Sequence, residues 1–264
     1  MSVKKESSGR RSVQVEVEVP GTPEEVWRAI STGQGISSWF VPTKVEERVG
    51  GKLEIHFGPG MDVASTITAW EPPLRFAAES HHLGEKGPAM ASEWFVEARS
   101  GGTCIVRVVH SLFAETDDWD DQLEGTEQGW PLYFRVLRFY MEHFRGMQVN
   151  SGVAIAMSTV PAADTLRKLT ESLGISELRI GEAIKAKDTP PLSGKIEWIS
   201  PEGKERYLML HLDSPARGIA LVGASACGGG ALACVSLYLF GEGDSTDHES
   251  AWQEWLNAQF PVQN

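Results

Sequence analysis

The sequence lacks the features that mark binding to nucleic acid or to a membrane. Its 264 residues carry 24 Lys and Arg against 36 Asp and Glu, a formal net charge of −12. Phosphates attract clustered basic side chains, so this charge argues against a nucleic-acid partner and an anionic membrane surface. No apolar run approaches the roughly 20 residues of a membrane-spanning helix. The sequence therefore predicts a protein with no nucleic-acid or membrane partner.

Cysteine is scarce, and its three positions, Cys104, Cys227 and Cys234, all lie in apolar segments. An odd number of thiols in such segments is typical of buried cysteines in a reducing compartment. No Cys and His spacing resembles a structural zinc site. The sequence thus predicts a cytoplasmic protein without a disulfide framework.

Motifs for cofactors and for nucleophilic catalysis are also missing. Gly33-Gln34-Gly35 is not followed by the third glycine of a dinucleotide loop, and no Gly-Lys-Ser/Thr phosphate loop occurs. Residues 223–227 resemble a nucleophile elbow only superficially, because they lie in a predicted strand and lack the second glycine. We therefore expect no cofactor and no metal, and a binding protein rather than an enzyme.

An internal repeat organises the chain. Residues 13–40 have the pattern of strand, turn and amphipathic helix, and residues 153–175 repeat it. Both halves continue with strands and a Gly-Gly hairpin, and both end in a helix that opens on a tryptophan, Trp130 or Trp252. In a repeat each copy forms its own compact unit. We predict a flexible tail over residues 1–11, a first domain over 12–147 and a second over 148–264.

The order of elements predicts an α+β fold. Apolar and polar residues alternate over residues 13–19, which indicates a half-buried strand. Thr22-Pro23-Glu24-Glu25 has the form of a capping box that begins a helix. Several antiparallel strands follow, then a long helix over about 127–145 with an aromatic stripe. Helices on one side of an antiparallel sheet give a layered α+β architecture.

The first half resembles a known family. The residues that carry the resemblance are Val19-Pro20, Pro23 to Ile30, Trp39-Phe40, Gly50-Gly51, Glu71-Pro72-Pro73-Leu74, Gly101-Gly102-Thr103, His110-Ser111 and Gly129-Trp130-Pro131. They are similar to helix-grip domains of the START-like SRPBCC superfamily, in the branch of homologues of the activator of heat shock protein 90 ATPase. The resemblance implies two curved antiparallel sheets, each wrapped around a long C-terminal helix.

The second half keeps only the outline of that family. It lacks the Trp-Phe pair and has Leu237 or Tyr238 where the first half has His110. We therefore expect a degenerate second copy that supports the first.

The aromatic side chains of the first half are the candidate lining of a cavity between sheet and helix. Strand alternation places His110 on one face with Val106 and Val108, pointing into that gap. There it is either a polar anchor, an acid/base group or a core histidine bonded to a neighbour. The predicted ligand-binding residues are Trp39, Phe40, Trp70, Phe76, Trp94, His110, Phe113, Trp130, Phe134 and Tyr140.

Other polar groups offer weaker candidates. His110, Glu93 and His56 are the only acid/base set that we consider for catalysis. His81-His82 is expected to be an exposed pair, because neighbouring strand residues point to opposite faces and chelate a metal poorly. The acidic run over residues 115–124 lacks the spacing of a calcium loop and is expected to be a solvated loop.

Three functions follow from these patterns and from the resemblance. The first is binding of a small hydrophobic ligand in the cavity of the N-terminal domain. The alternatives are an enzyme of the cyclase, dehydratase or hydrolase type that uses His110 as acid/base, or a chaperone-associated or stress-response module with a protein partner. Either a monomer or a homodimer is compatible with the sequence.

Overall fold

The chain divides into two compact units in the computed structural model, which describes residues 3–58, 60–80, 88–114, 119–175, 178–187, 189–203, 205–241 and 247–261. The N-terminal domain comprises Met1–His56 and Asp62–Gly146, and the C-terminal domain comprises Met147–Asn264 together with the loop Phe57–Met61. Each contains one antiparallel sheet and its own helices. The predicted α+β fold class is confirmed.

In its described residues the N-terminal domain has eight strands, in the order β1-β2-β8-β7-β6-β5-β4-β3. The strands are β1 Lys4–Lys5, β2 Arg10–Pro20, β3 Thr43–Val45, β4 Lys52–His56, β5 Asp62–Glu71, β6 Arg75–Ser80, β7 Met90–Arg99 and β8 Thr103–Phe113. The helices are α1 Pro23–Ser31, α2 Gly33–Ser37 and α3 Asp120–His143. We call the side of this sheet on which Trp94 contacts Trp130 and Phe134 of α3 the inner face.

The first helix begins as the sequence predicts. The Thr22 hydroxyl accepts the Glu25 backbone N–H at 3.3 Å, and the Glu25 carboxylate accepts the Thr22 N–H at 2.9 Å. These bonds satisfy two of the donors that every helix start leaves open. The buried face of α1 carries Val26, Trp27 and Ile30.

The prediction of a flexible tail over residues 1–11 is wrong for the described residues. Strand β1 pairs with β2 through Lys4 opposite Ser12 and Lys5 opposite Arg11, and β2 already begins at Arg10. The Arg11 guanidinium is buried and binds the Asp120 carboxylate at 2.6 Å. Strand pairing and this ion pair attach the segment to the domain.

Helix α3 begins at Asp120, several residues before the predicted start near 127. Leu123 explains the difference, because it is fully buried against Val13 and Leu112 and its burial stabilises the first turns. Part of the predicted acidic loop is therefore helical. Its residues 115–118 lie outside the described residues, as do His81 and His82.

The described part of the C-terminal domain has six strands, in the order β10-β11-β12-β13-β14-β9. The strands are β9 Val149–Ser158, β10 Ala183–Lys185, β11 Ser193–Ile199, β12 Glu205–Ser214, β13 Gly218–Cys227 and β14 Gly230–Phe240. The helices are α4 Ala162–Ser172 and α5 His248–Gln259. Helix α5 has 12 residues where α3 has 24, so the second copy is shortened at its C-terminal helix. Within the part of the chain that the structure describes, no helix is long and apolar enough to cross a bilayer.

Candidate ligand-binding site

A continuous cluster of aromatic rings fills the inner face of the N-terminal domain. Trp130 of α3 is at its centre, with ring centroids 5.2 Å from Phe40, 5.0 Å from Trp94 and 5.4 Å from Phe134. Trp39 lies 6.0 Å from Trp94. The structure thus brings together aromatic residues that the sequence predicted to lie together, although they come from separate elements.

Trp70 joins this cluster through an irregularity that the sequence pattern does not show. The register between β5 and β6 shifts between Ile67 and Ala69, so that Ile67 lies opposite Ala78 while Trp70 lies opposite Phe76. Trp70 then contacts Trp27 of α1 at 5.1 Å and Phe76 at 5.9 Å. Sequence reasoning missed Trp27 as a member of the cluster. Its place on the buried face of α1, beside Val26 and Ile30, was the available signal.

Two predicted lining residues have other positions. Phe113 is 66% exposed at the end of β8, where it lies opposite Arg10, so its assignment to the lining is wrong. Strand alternation is the reason, because His110 and Leu112 face inward and residue 113 therefore faces outward. Tyr140 is buried, but its hydroxyl accepts the Gly146 N–H at 3.2 Å and so helps to end α3.

His110 is buried inside the cluster and both its ring nitrogens are bonded. The Trp130 indole N–H donates to Nε2 at 2.7 Å, so the neutral ring carries its proton on Nδ1 and donates it to the Ser92 hydroxyl at 2.8 Å. The imidazole and indole planes lie within 10° of each other. Burial lowers the pKa of His110 to about 4, because the charged ring would lose its hydration. At neutral pH His110 is thus an uncharged link in a chain from Trp130 to Ser92.

The other acid/base candidates lie elsewhere. Ser92 is opposite His110, whereas Glu93 is opposite Val109 and so lies on the outer face of the sheet. Its carboxylate binds Arg10 at 3.3 Å and Arg75 at 3.0 Å. His56 pairs with the exposed Asp62 at 2.7 Å. The grouping of His110 with Glu93 or His56 in one site is therefore wrong.

Solvent reaches the inner face at one end of the sheet. One row of paired residues crosses strands β5 to β8 on the same side of the sheet as His110, and it consists of Ser65, Ser80, Met90 and Leu112. Of this row Ser65 and Met90 are only half-buried, and so is Ser92 beside them. Val63, two residues from Ser65 on the same face, is 40% exposed. This open end, formed by Val63, Ser65, Met90 and Ser92, borders the aromatic cluster.

At the corresponding positions the C-terminal domain does not have the hydrogen-bonded pair of His110 and Ser92. His110 and Leu237 each lie eight residues after the second glycine of their hairpin, Gly102 or Gly229. Ser92 lies opposite His110, and Ala220 lies opposite Leu237. Trp252 of α5 corresponds to Trp130 of α3, but its buried indole N–H has no hydrogen-bond partner among the described residues. Leu237 therefore takes the place of His110.

The sequence comparison identifies the first domain. Residues 20–142 match the family described as Activator of Hsp90 ATPase homolog 1-like protein. Over these residues the N-terminal domain is similar to this family. The match begins at the end of β2 and continues almost to the end of α3. It therefore includes the whole aromatic cluster and confirms the resemblance found in the sequence.

A comparison with known structures found matches at low identity. Protein MLL2253 of Mesorhizobium loti is 23% identical over 51% of this chain and 98% of its own, with a TM-score of 0.46. DynU16, from the dynemicin biosynthetic locus, is 16% identical over 94% of this chain and 93% of its own, with a TM-score of 0.45. The di-domain ARO/CYC BexL, from the BE-7585A biosynthetic pathway, is 16% identical over 87% of this chain and 85% of its own, with a TM-score of 0.45.

These identities and scores transfer no residue role or activity. A comparison with curated proteins found no significant match.

Proposed function

We propose that the N-terminal domain binds a small hydrophobic molecule at the open end of its inner face. The half-buried Ser92 beside the aromatic cluster is the observation that carries this proposal, because it offers a polar group at the edge of an apolar interior. Sites for small molecules usually combine an apolar lining with few polar groups. Val63 and Met90 supply apolar surface that is still in contact with solvent.

The hydrogen-bond chain gives Ser92 a defined direction. Its oxygen accepts a hydrogen bond from the Nδ1–H of His110, so its own O–H remains available to donate. The ligand is then a mainly apolar molecule with an acceptor oxygen, such as a carbonyl or hydroxyl group, placed within reach of Ser92. His110 is a positioning residue in this scheme, since it orients Ser92 and does not face the ligand itself.

Catalysis by His110 has little physical support in this arrangement. A general acid or base works best with a pKa near the working pH and a nitrogen that is free to reach the substrate. His110 has a pKa of about 4, and Trp130 and Ser92 occupy both nitrogens. The interaction module also stays a prediction. Exposed apolar residues such as Met157, Leu178 and Ile180 do occur in the C-terminal domain, but single exposed residues of this kind are ordinary.

Binding of the fluorescent probe N-phenyl-1-naphthylamine tests the position of the site. Val63→Trp places a large ring at the open end, while Ala64→Trp places the same ring on the adjacent residue, which points to the other face of β5. We expect the first substitution to weaken probe binding at least tenfold and the second to leave it unchanged. Equal probe binding by both variants and the wild type would refute the proposed position.

A further inference from the structure

A groove lies at the β1–β2 edge of the N-terminal sheet, where side chains from the outer face of β2, β7 and β8 meet Glu127 of α3. We propose that it binds a small zwitterion, a molecule that carries one ammonium and one carboxylate group. This outer groove has a volume of about 480 Å³, and most of its lining residues are polar or charged, with Phe95 and Val109 as the apolar ones. It shares no residue with the open end and does not rest on the function proposed above.

The shape of the outer groove follows from strand register. Ser12 is opposite Lys4 on one side, and Val109 is opposite Glu93 on the other. Ser12 and Val109 are short, whereas Lys4, Arg10 and Arg107 are long side chains that also line the groove. Short residues on the sheet surface between long ones leave a hollow, and Glu127 of α3 adds a carboxylate to its lining.

Most charges around the groove already have partners. Arg10 binds Glu6 at 3.6 Å and Glu93 at 3.3 Å. Arg107 binds Glu16 at 3.1 Å. These pairs balance one another, so they hold the walls of the groove and leave little net charge for a ligand.

Three groups in the lining remain unmatched. The Glu127 Oε2 atom is shielded from solvent and has no hydrogen-bond partner among the described residues. The ammonium of Lys4 has no carboxylate within 4 Å among the same residues, and the hydroxyl of Ser12, a residue only 8% exposed, has no partner there either. A shielded carboxylate oxygen without a donor is costly, because its desolvation is not compensated.

These groups complement the two ends of one molecule. An ammonium group would bind Glu127, a carboxylate would bind Lys4, and the Ser12 hydroxyl can serve either end because it both donates and accepts. A simple anion would leave Glu127 unmatched, and a simple cation would leave Lys4 unmatched. The zwitterion is the class of ligand that satisfies both charges in a groove whose other charges are already paired.

Titration calorimetry with ω-amino acids tests the proposal on the full chain. The probes are glycine, 4-aminobutyrate and 6-aminohexanoate, which separate the two charges by increasing distances, with acetate and methylammonium as single-charge controls. We expect one zwitterion to bind, and Glu127→Gln or Lys4→Gln to weaken it at least about tenfold, as charge-assisted hydrogen bonds imply. Glu124→Gln on the same helix and Lys44→Gln are matched substitutions outside the groove and should bind as the wild type does.

NMR provides a second test that needs no variant. In the wild type, the backbone amide resonances of Ser12 and Val109 should shift when the probe is added. The proposal is overturned if no zwitterion binds at about 10 mM, well above a millimolar dissociation constant. It is also overturned if acetate or methylammonium alone binds as tightly, or if Glu127→Gln and Lys4→Gln bind like the wild type.

Discussion

The two equivalent tryptophans allow the hydrogen-bond chain to be tested within one molecule. Trp130→Phe removes an N–H that donates to His110, whereas Trp252→Phe removes an N–H that has no partner in the described part of the chain. Both substitutions lose a similar part of a buried ring, which costs about 1–2 kcal/mol. At position 130 the buried His110 nitrogen is also left without its donor, a further cost of about 1–3 kcal/mol. At position 252 an unsatisfied donor disappears, which offsets the lost packing.

We therefore expect Trp130→Phe to destabilise its domain by about 2 kcal/mol more than Trp252→Phe destabilises the other. Hydrogen exchange measures each domain separately, with core amides of β8 reporting on the N-terminal domain and those of β14 on the C-terminal one. His110→Leu copies the arrangement of the second domain and should make a following Trp130→Phe nearly neutral. Equal losses in both domains, or a Trp130→Phe penalty that survives His110→Leu, would refute the reasoning.

Three further predictions concern charge and exposure. The pKa of His110 is lowered from 6.5 to about 4, so its neutral ring favours the folded state. The N-terminal domain should therefore keep this stability above pH 6.5 and lose about 3 kcal/mol of its free energy of unfolding as the pH falls towards 4. Urea unfolding midpoints measured across this pH range should vary less for His110→Leu than for the wild type. The pKa of Asp120 is lowered, first by a hydrogen bond from Lys5 and then by Arg11, so Asp120→Asn should accelerate hydrogen exchange in the first turn of α3. Phe113→Ser should change the free energy of unfolding by less than about 0.5 kcal/mol and leave probe binding intact, since this ring is exposed.

Local patterns predicted the elements better than they predicted which side chains meet. The capping box at Thr22 and the alternation in β2 are short-range signals, and both were confirmed. The inward direction of His110 also followed from alternation alone. Its partner Ser92 did not, because that contact depends on the register between β7 and β8, which no local pattern encodes.

The errors have the same physical origin. Phe113 was assigned by residue type although its position in the alternation points outward, and Trp70 faces inward only because of an irregularity in β5. The outer groove depends on β1, which pairs with β2 in a segment whose polar composition indicated a frayed end. In each case a long-range backbone pairing decided the outcome.

Native mass spectrometry of freshly purified protein, compared with the denatured mass, tests the central claim most directly. The account predicts a retained small molecule in the wild type and in Ala64→Trp, and the bare chain mass in Val63→Trp. The mass of the retained molecule would also identify its chemical class. A molecule retained equally by Val63→Trp, or a wild type that retains nothing and also fails to bind the naphthylamine probe, would contradict ligand binding at the open end of the N-terminal domain.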